Sequence, residues 1–373
     1  MIDTLVLEYL FPLRFIYDDC YYAIDAISRR QDDKHMRLHR RQSREFKIPA
    51  YTTTAFKRFG WLEIMFYKYQ RGCAVRIIFK PIYLLYKFSQ LRLSKYNDFD
   101  EVEKRFNATV DAINREAGHE ILPYLNEWRV TRLDYAVDLN TPFVNTYIDL
   151  FKIGFIPRGF FAPKNYATSY YLISDNSTIN FYNKIEQVKA KHNYTNEYIE
   201  NEIGFMPDGI LRLEIQCKSG CLAYLRRKYK IGNLTLKPLW NPVIAADVIK
   251  QKISSIIGQE DFFTFEHCMR VLQSKFKRNG FRSCADIVCA MKISVDVCTM
   301  EIIKKAYEEY KQRATFNVLL SRIHTLDINA IPLDCAIGTD NLEYLKNPYN
   351  IIDELIAKEN ASQELSLVEK HFA

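Results

Sequence analysis

Hydrophobic positions recur every second residue over several short runs of the chain, and every third or fourth residue over longer ones. Period two places alternate side chains on opposite faces of a strand, whereas residues three and four apart share one stripe of a helix. On this basis TLVLEYL at 4–10 is an opening strand, and WLEIMFYK (61–68) with VRIIFK (75–80) forms a hairpin across YQRG. Pro81 then starts a helical stretch through IYLLYKF. In DFDE, Asp98 stands three residues before Glu101 as a capping box, and Val102, Phe106, Val110 and Ile113 give the following helix an apolar face that ends near Gly118. Period two returns at WRVTRLDYAVDL (128–139). A helix is expected within 143–154, then a second hairpin of TSYYLI and TINFYNK across SDNS, then a strand in GILRLEIQCK (209–218).

Beyond KPLW (237–240) the pattern becomes helical throughout: VIAADVIKQKISSII, FEHCMRVLQSKF, CADIVCAMK, MEIIKKAYEEYKQRA and FNVLLSRIH, joined by short connections. The order predicts an α+β fold. A largely antiparallel sheet with covering helices occupies residues 1–235, a helical accessory region 236–345 and a helical tail 346–373. No sustained heptad supports a coiled coil.

Three of the strands carry chemistry on the face opposite their apolar one. In TRLDYAVDL, Leu133, Tyr135, Val137 and Leu139 share a face, leaving Arg132, Asp134 and Asp138 on the other. ILRLEIQCK separates Leu211, Leu213 and Ile215 from Arg212, Glu214, Gln216 and Lys218, and TINFYNK separates Ile179 and Phe181 from Asn180, Tyr182 and Lys184. If these faces meet, Asp134 and Glu214 can hold a hard divalent cation through carboxylate oxygens. Tyr182 can then attack a phosphodiester polarised by that cation, with Lys184 beside it. An ordinary tyrosine titrates near pH ~10, so such an attack needs a positive environment. The same spacing also fits acids paired with Arg132 and Arg212 on a sheet face, with Tyr182 at an amphipathic edge.

Composition narrows this little. With 25 tyrosines in 373 residues, no single tyrosine stands out by its type. The formal net charge of +7 matters more through its distribution: residues 29–47 hold eight Arg and Lys against three Asp and Glu, and YLRRKYK (224–230) is a second basic cluster. Such clusters suit a polyanion, since phosphate contacts supply most sequence-independent affinity for nucleic acid. In CLAYLRRKYK, Tyr224 and Tyr229 can stack on unpaired bases while Arg226, Arg227 and Lys228 meet phosphates. The candidate DNA contacts are these five with Arg37, Arg40, Arg41, Arg44, Arg132, Arg212 and Lys218. The nine cysteines include no C-x-x-C pair; the nearest spacings, Cys217/Cys221 and Cys284/Cys289, read as thiols of a reducing compartment. MIDTLVLEYLFPLRF lacks the basic start and small-residue cleavage site of a signal peptide, and no run reaches the ~18 apolar residues of a membrane span. A cytoplasmic location with no membrane partner is expected.

The ordered set VTRLDYAVDL, TINFYNKIEQ and GILRLEIQCK, preceded by MIDTLVLEY and WLEIMFYK…VRIIFKP, resembles the replication initiators of filamentous bacteriophages, the gene II type. More distantly it is similar to the replication initiation factors of rolling-circle plasmids. The resemblance implies a nicking and joining endonuclease that acts at a phage or plasmid origin in a bacterial host. A tyrosine attacks the scissile phosphate, giving a covalent 5'-phosphotyrosine and a free 3'-hydroxyl for a host polymerase, and later strand transfer closes a single-stranded circle. The nucleophile falls at Tyr182, with Lys184 and Glu186 in the same pattern. The metal-binding acids, for Mg2+ or Mn2+, fall at Asp134 and Glu214.

Asp138 fits the D-x-x-x-D form of the plasmid proteins and is a further ligand candidate. The family's His-hydrophobe-His motif is absent; His35 and His39 instead have the i,i+4 spacing of a helix face. A host helicase and a homodimer on the DNA are further partners that the resemblance brings. Two other classes remain open: a DNA-binding replication or transcription regulator without chemistry, and a mobilisation relaxase or transposase.

Overall fold

The computed structural model describes residues 1–30, 37–42, 49–69, 72–86, 89–161, 164–192, 195–203, 207–293, 299–309, 313–336, 338–339 and 342–358. Ten strands, β1 (Ile2–Phe11), β2 (His39–Gln42), β3 (Pro49–Thr53), β4 (Trp61–Tyr69), β5 (Gly72–Phe79), β6 (Arg129–Asn140), β7 (Lys164–Tyr166), β8 (Ser169–Ile173), β9 (Ser177–Asn183) and β10 (Ile210–Cys217), form one sheet in the order β2-β3-β4-β5-β1-β6-β10-β9-β8-β7. The pairings β2/β3, β3/β4, β4/β5, β1/β5, β1/β6, β7/β8 and β8/β9 are antiparallel. The helices are α1 (Arg14–Arg29), α2 (Ile82–Leu85), α3 (Phe99–Ala117), α4 (Val144–Ile153), α5 (Lys184–His192), α6 (Asn196–Ile203), α7 (Ser219–Lys228), α8 (Leu236–Leu239), α9 (Pro242–Ile257), α10 (Phe265–Lys275), α11 (Arg278–Ile293), α12 (Met300–Glu309) and α13 (Arg313–His324). The architecture is α+β: a large antiparallel sheet with covering helices and a helical C-terminal region.

The chain divides into two compact units. The first holds Met1–Ala136 and Gln216–Ala245. Its core forms where α3 turns Val102, Phe106, Val110 and Ile113 inward. Phe106 meets Trp61 at 4.9 Å, Phe79 at 5.3 Å and Trp128 at 5.9 Å between ring centroids. Two indoles keep their polar edge satisfied, as Trp128 Nε1 donates to Pro123 O and Trp240 Nε1 to Lys95 O, both at 2.9 Å, whereas the buried Trp61 Nε1 has no hydrogen-bond partner among the described residues. Gly118 ends α3 with φ +80°, the left-handed cap that its position in the sequence foretold.

The second unit holds Val137–Ile215 and Ala246–Lys358. Phe151 of α4 lies 4.5 Å from the Phe181 ring of β9 and 6.0 Å from that of Tyr170 on β8. The α4 C-terminus docks on the end of α9, where Phe155 N–H donates to Ile256 O at 2.8 Å. A Cβ at Gly154 would stand within 2.8 Å of Ile256 backbone and side-chain atoms, so the approach requires glycine. Farther on, Asp261 accepts from Asn347 N–H, Asn350 Nδ2 and the Tyr344 hydroxyl at 2.7–2.8 Å, tying the α9–α10 connection to residues 344–350.

Several local expectations change. Asp98 does not cap α3; its Oδ2 accepts from Lys95 N–H at 2.7 Å, one turn earlier. The helix after Pro81 stops at Leu85, with Tyr86 extended at φ −131° and ψ 112°. His39 lies in the strand β2 rather than on a helix, and His35 lies outside the described residues. Lys184 leaves the strand and becomes the first residue of α5. Of the expected tail, residues 352–358 are helical and 359–373 lie outside the described residues.

Candidate active site

The β8–β9 hairpin fixes Tyr182. Its turn is closed by Ser174, whose N–H and hydroxyl donate to Ser177 O at 2.8 and 2.9 Å and whose Oγ accepts from Ser177 N–H at 3.0 Å. This sets a register with Tyr170 opposite Phe181 and Ser169 opposite Tyr182. Phe181 and Ile179 are fully buried, with Phe181 against α4, so alternation sends Asn180 and Tyr182 to the other face. Immediately after, Asn183 changes the chain from strand to helix: its N–H donates to Thr168 O at 3.0 Å and its side-chain oxygen accepts from Glu186 N–H at 3.2 Å, an N-terminal cap.

That second face is polar and buried rather than solvated. The Tyr182 hydroxyl donates to Glu214 Oε2 at 3.0 Å, and these residues are 5% and 6% exposed. Lys184 is equally buried; its Nζ donates to Gln187 Oε1 at 2.9 Å and lies 5.7 Å from the Tyr182 ring centroid. Two residues before Glu214 on β10, and so on the same face, Arg212 is wholly buried and grips Asp138 with two parallel hydrogen bonds of 2.7 Å. A buried polar cluster of this kind persists because its members satisfy one another.

Asp134 belongs to the first unit, where its carboxylate accepts from Arg132 Nε at 2.8 Å and also from Nη2. Glu186 is exposed on α5 with Lys189 Nζ 3.7 Å away. Arg37 and Arg40 are exposed, the latter on β2; the Arg41 side chain and Arg44 lie outside the described residues. Lys218 precedes α7, whose last turn carries Arg226, Arg227 and Lys228. These are exposed, as is Tyr224, and Lys228 Nζ stands 5.9 Å and 5.4 Å from the rings of Tyr224 and Tyr229. Cations in that turn also complement the negative end of the α7 dipole, which by itself accounts for their placement.

Sequence reasoning missed Asn183 and Gln187, although an Asn just before a helical run is a readable cap signal. It also named Arg212 as a DNA contact, whereas its side chain is fully buried and hydrogen-bonded to Asp138. Burial raises the phenols of Tyr135, Tyr147 and Tyr170 above the ordinary value, which disfavours their phenolates at neutral pH.

A bound Mg2+ or Mn2+ would need several free oxygens. Among the described residues no group of three His, Cys, Asp or Glu side chains comes together. Asp138 gives both carboxylate oxygens to Arg212, and Asp134 gives both to Arg132. As arranged, these residues do not fit a cation site. Among the described residues, no helix is long and apolar enough to cross a membrane.

No protein-family model matches the chain, and no curated protein matches it. Among solved structures it has a weak likeness to a rolling circle replication initiator protein from Geobacillus stearothermophilus, with 12% identity over 69% of this chain and 86% of that one and a TM-score of 0.30. A superposition this loose carries no weight for activity.

Proposed function

We propose that the protein nicks and rejoins DNA through Tyr182, in the manner of initiators of rolling-circle replication at a phage or plasmid origin. The observation that carries this reading is the Tyr182 hydroxyl held on the Glu214 carboxylate, with the Lys184 ammonium beside the ring. The order of the three strand motifs in the sequence supports it. In the proposed step Glu214 accepts the phenol proton as the Tyr182 oxygen bonds to phosphorus. The bond from phosphorus to the 3'-oxygen breaks, and that oxygen takes a proton from water, leaving a 5'-phosphotyrosine and a 3'-hydroxyl. Lys184 supplies positive charge on the tyrosine side. Tyr182 is 5% exposed, so the phosphate reaches it only when the surrounding chain opens. The family's dependence on Mg2+ or Mn2+ enters no step here, because a cation could use Asp138 only after Arg212 releases it.

Burial itself favours a second reading, in which the Tyr182–Glu214 and Arg212–Asp138 pairs are structural and the protein binds DNA without cutting it. Incubation with single-stranded or supercoiled origin DNA, in Mg2+, Mn2+ or EDTA, separates the two. The first reading gives a denaturant-resistant protein–DNA adduct that Tyr182→Phe abolishes. DNA binding with no adduct in any of the three conditions supports the second.

A further inference from the structure

We infer that Cys217 and Cys221 form a dithiol–disulfide site: a pair that a small-molecule disulfide such as glutathione disulfide converts into an intramolecular bridge. Their sulfurs are 2.8 Å apart. Three other cysteine sulfurs have a backbone carbonyl oxygen as neighbour instead, at 3.8 Å for Cys268, 4.0 Å for Cys284 and 3.4 Å for Cys335. A disulfide needs about 2.05 Å between sulfurs and side chains directed at each other, so closing this pair takes a sulfur movement of under roughly 1 Å.

Local structure makes the approach. Cys217 is the last residue of β10 and Cys221 the third residue of α7, with Lys218 turning the chain between them and its carbonyl accepting from Leu222 N–H at 2.9 Å. The reversal folds the first turn of the helix back over the strand end. Exposure divides the labour: Cys217 is fully buried, while Cys221 is partly open to solvent. Cys221, as thiolate, attacks one sulfur of glutathione disulfide, forming a mixed disulfide and releasing one glutathione thiol. Cys217 then attacks the Cys221 sulfur and expels the second glutathione. The protein gives up two protons and two electrons, and the reagent takes them up. Glutathione cannot readily be displaced from the buried sulfur from outside, which fixes the order of the steps. The bridge would pin the start of α7, whose far end carries Arg226, Arg227 and Lys228, to the strand bearing Arg212 and Glu214. The inference does not depend on the nicking chemistry.

The test treats the folded full-length chain with glutathione disulfide, blocks remaining thiols, digests with trypsin and identifies linked peptides. Cleavage after Lys218 separates Leu213–Lys218 from Ser219–Arg226. The inference expects these two peptides joined by a bond that dithiothreitol reverses, and a stable glutathione adduct on Cys221 in Cys217→Ser. If Cys217→Ser fails to fold, Cys221→Ser serves instead, with Cys217 left unmodified. Two thiols that both remain blockable in the parent would overturn it, as would a glutathione adduct on parent Cys221 that Cys217 never resolves.

Discussion

Replacing Asp138 by alanine removes the carboxylate that accepts two 2.7 Å hydrogen bonds from Arg212. The arginine side chain has no exposed surface and stays charged at any pH at which the protein folds, so it cannot escape the loss by releasing a proton. Breaking a buried pair in this way costs about 3–5 kcal/mol. The Asp138 side chain is 22% exposed, and water can partly replace it, which places the expected loss near ~3 kcal/mol, the low end of that range. For a unit of this size that lowers the thermal midpoint by ~6–12 °C.

Adding Arg212→Met removes the buried charge that has lost this acceptor, so Asp138→Ala/Arg212→Met should be more stable than Asp138→Ala alone. Thermal unfolding followed by circular dichroism reads both variants. A loss below about 1 kcal/mol for Asp138→Ala, the scale of a surface ion pair, would refute the buried-pair reasoning. So would a double variant less stable than the single one.

Gly118→Ala should cost about 1 kcal/mol, because φ is +80° while nothing crowds a Cβ there, and Gly118→Asn should recover part of it; denaturant midpoints check both. His324 gives a pH dependence. Burial lowers its pKa below the usual 6.5, against a smaller opposing pull from Glu260, whose carboxylate is 3.6 Å away. The folded state therefore resists protonation more than the unfolded one: the contribution is complete above pH ~6.5 and is lost as pH falls through the folded value. His324→Gln should flatten that loss in thermal melts between pH 7 and 5, and an unchanged slope would contradict it.

How far the sequence could be read follows from what alternation encodes. The apolar sides of β9 and β10 announced themselves because Ile179, Phe181, Leu211, Leu213 and Ile215 repeat every second residue, and the polar sides followed. Alternation gives a face but not a partner. It could not tell that Arg212 takes Asp138, nor that Glu214 receives the Tyr182 hydroxyl. Nor could it reveal that both faces of β10 are buried, since an arginine and a glutamate read as solvent-facing until their counterparts are placed. Short elements such as β2, β3 and β7 escaped because three to five residues carry too few periods to register.

The central claim is that Tyr182 becomes covalently joined to DNA. The most direct measurement traps the adduct on a single-stranded origin substrate, digests both partners and locates the residual nucleotide within the tryptic peptide Asn165–Lys184 by fragmentation. The expected result is a phosphate-linked nucleotide on Tyr182. A nucleotide on another tyrosine of that peptide, or on Tyr224 or Tyr229, would contradict it.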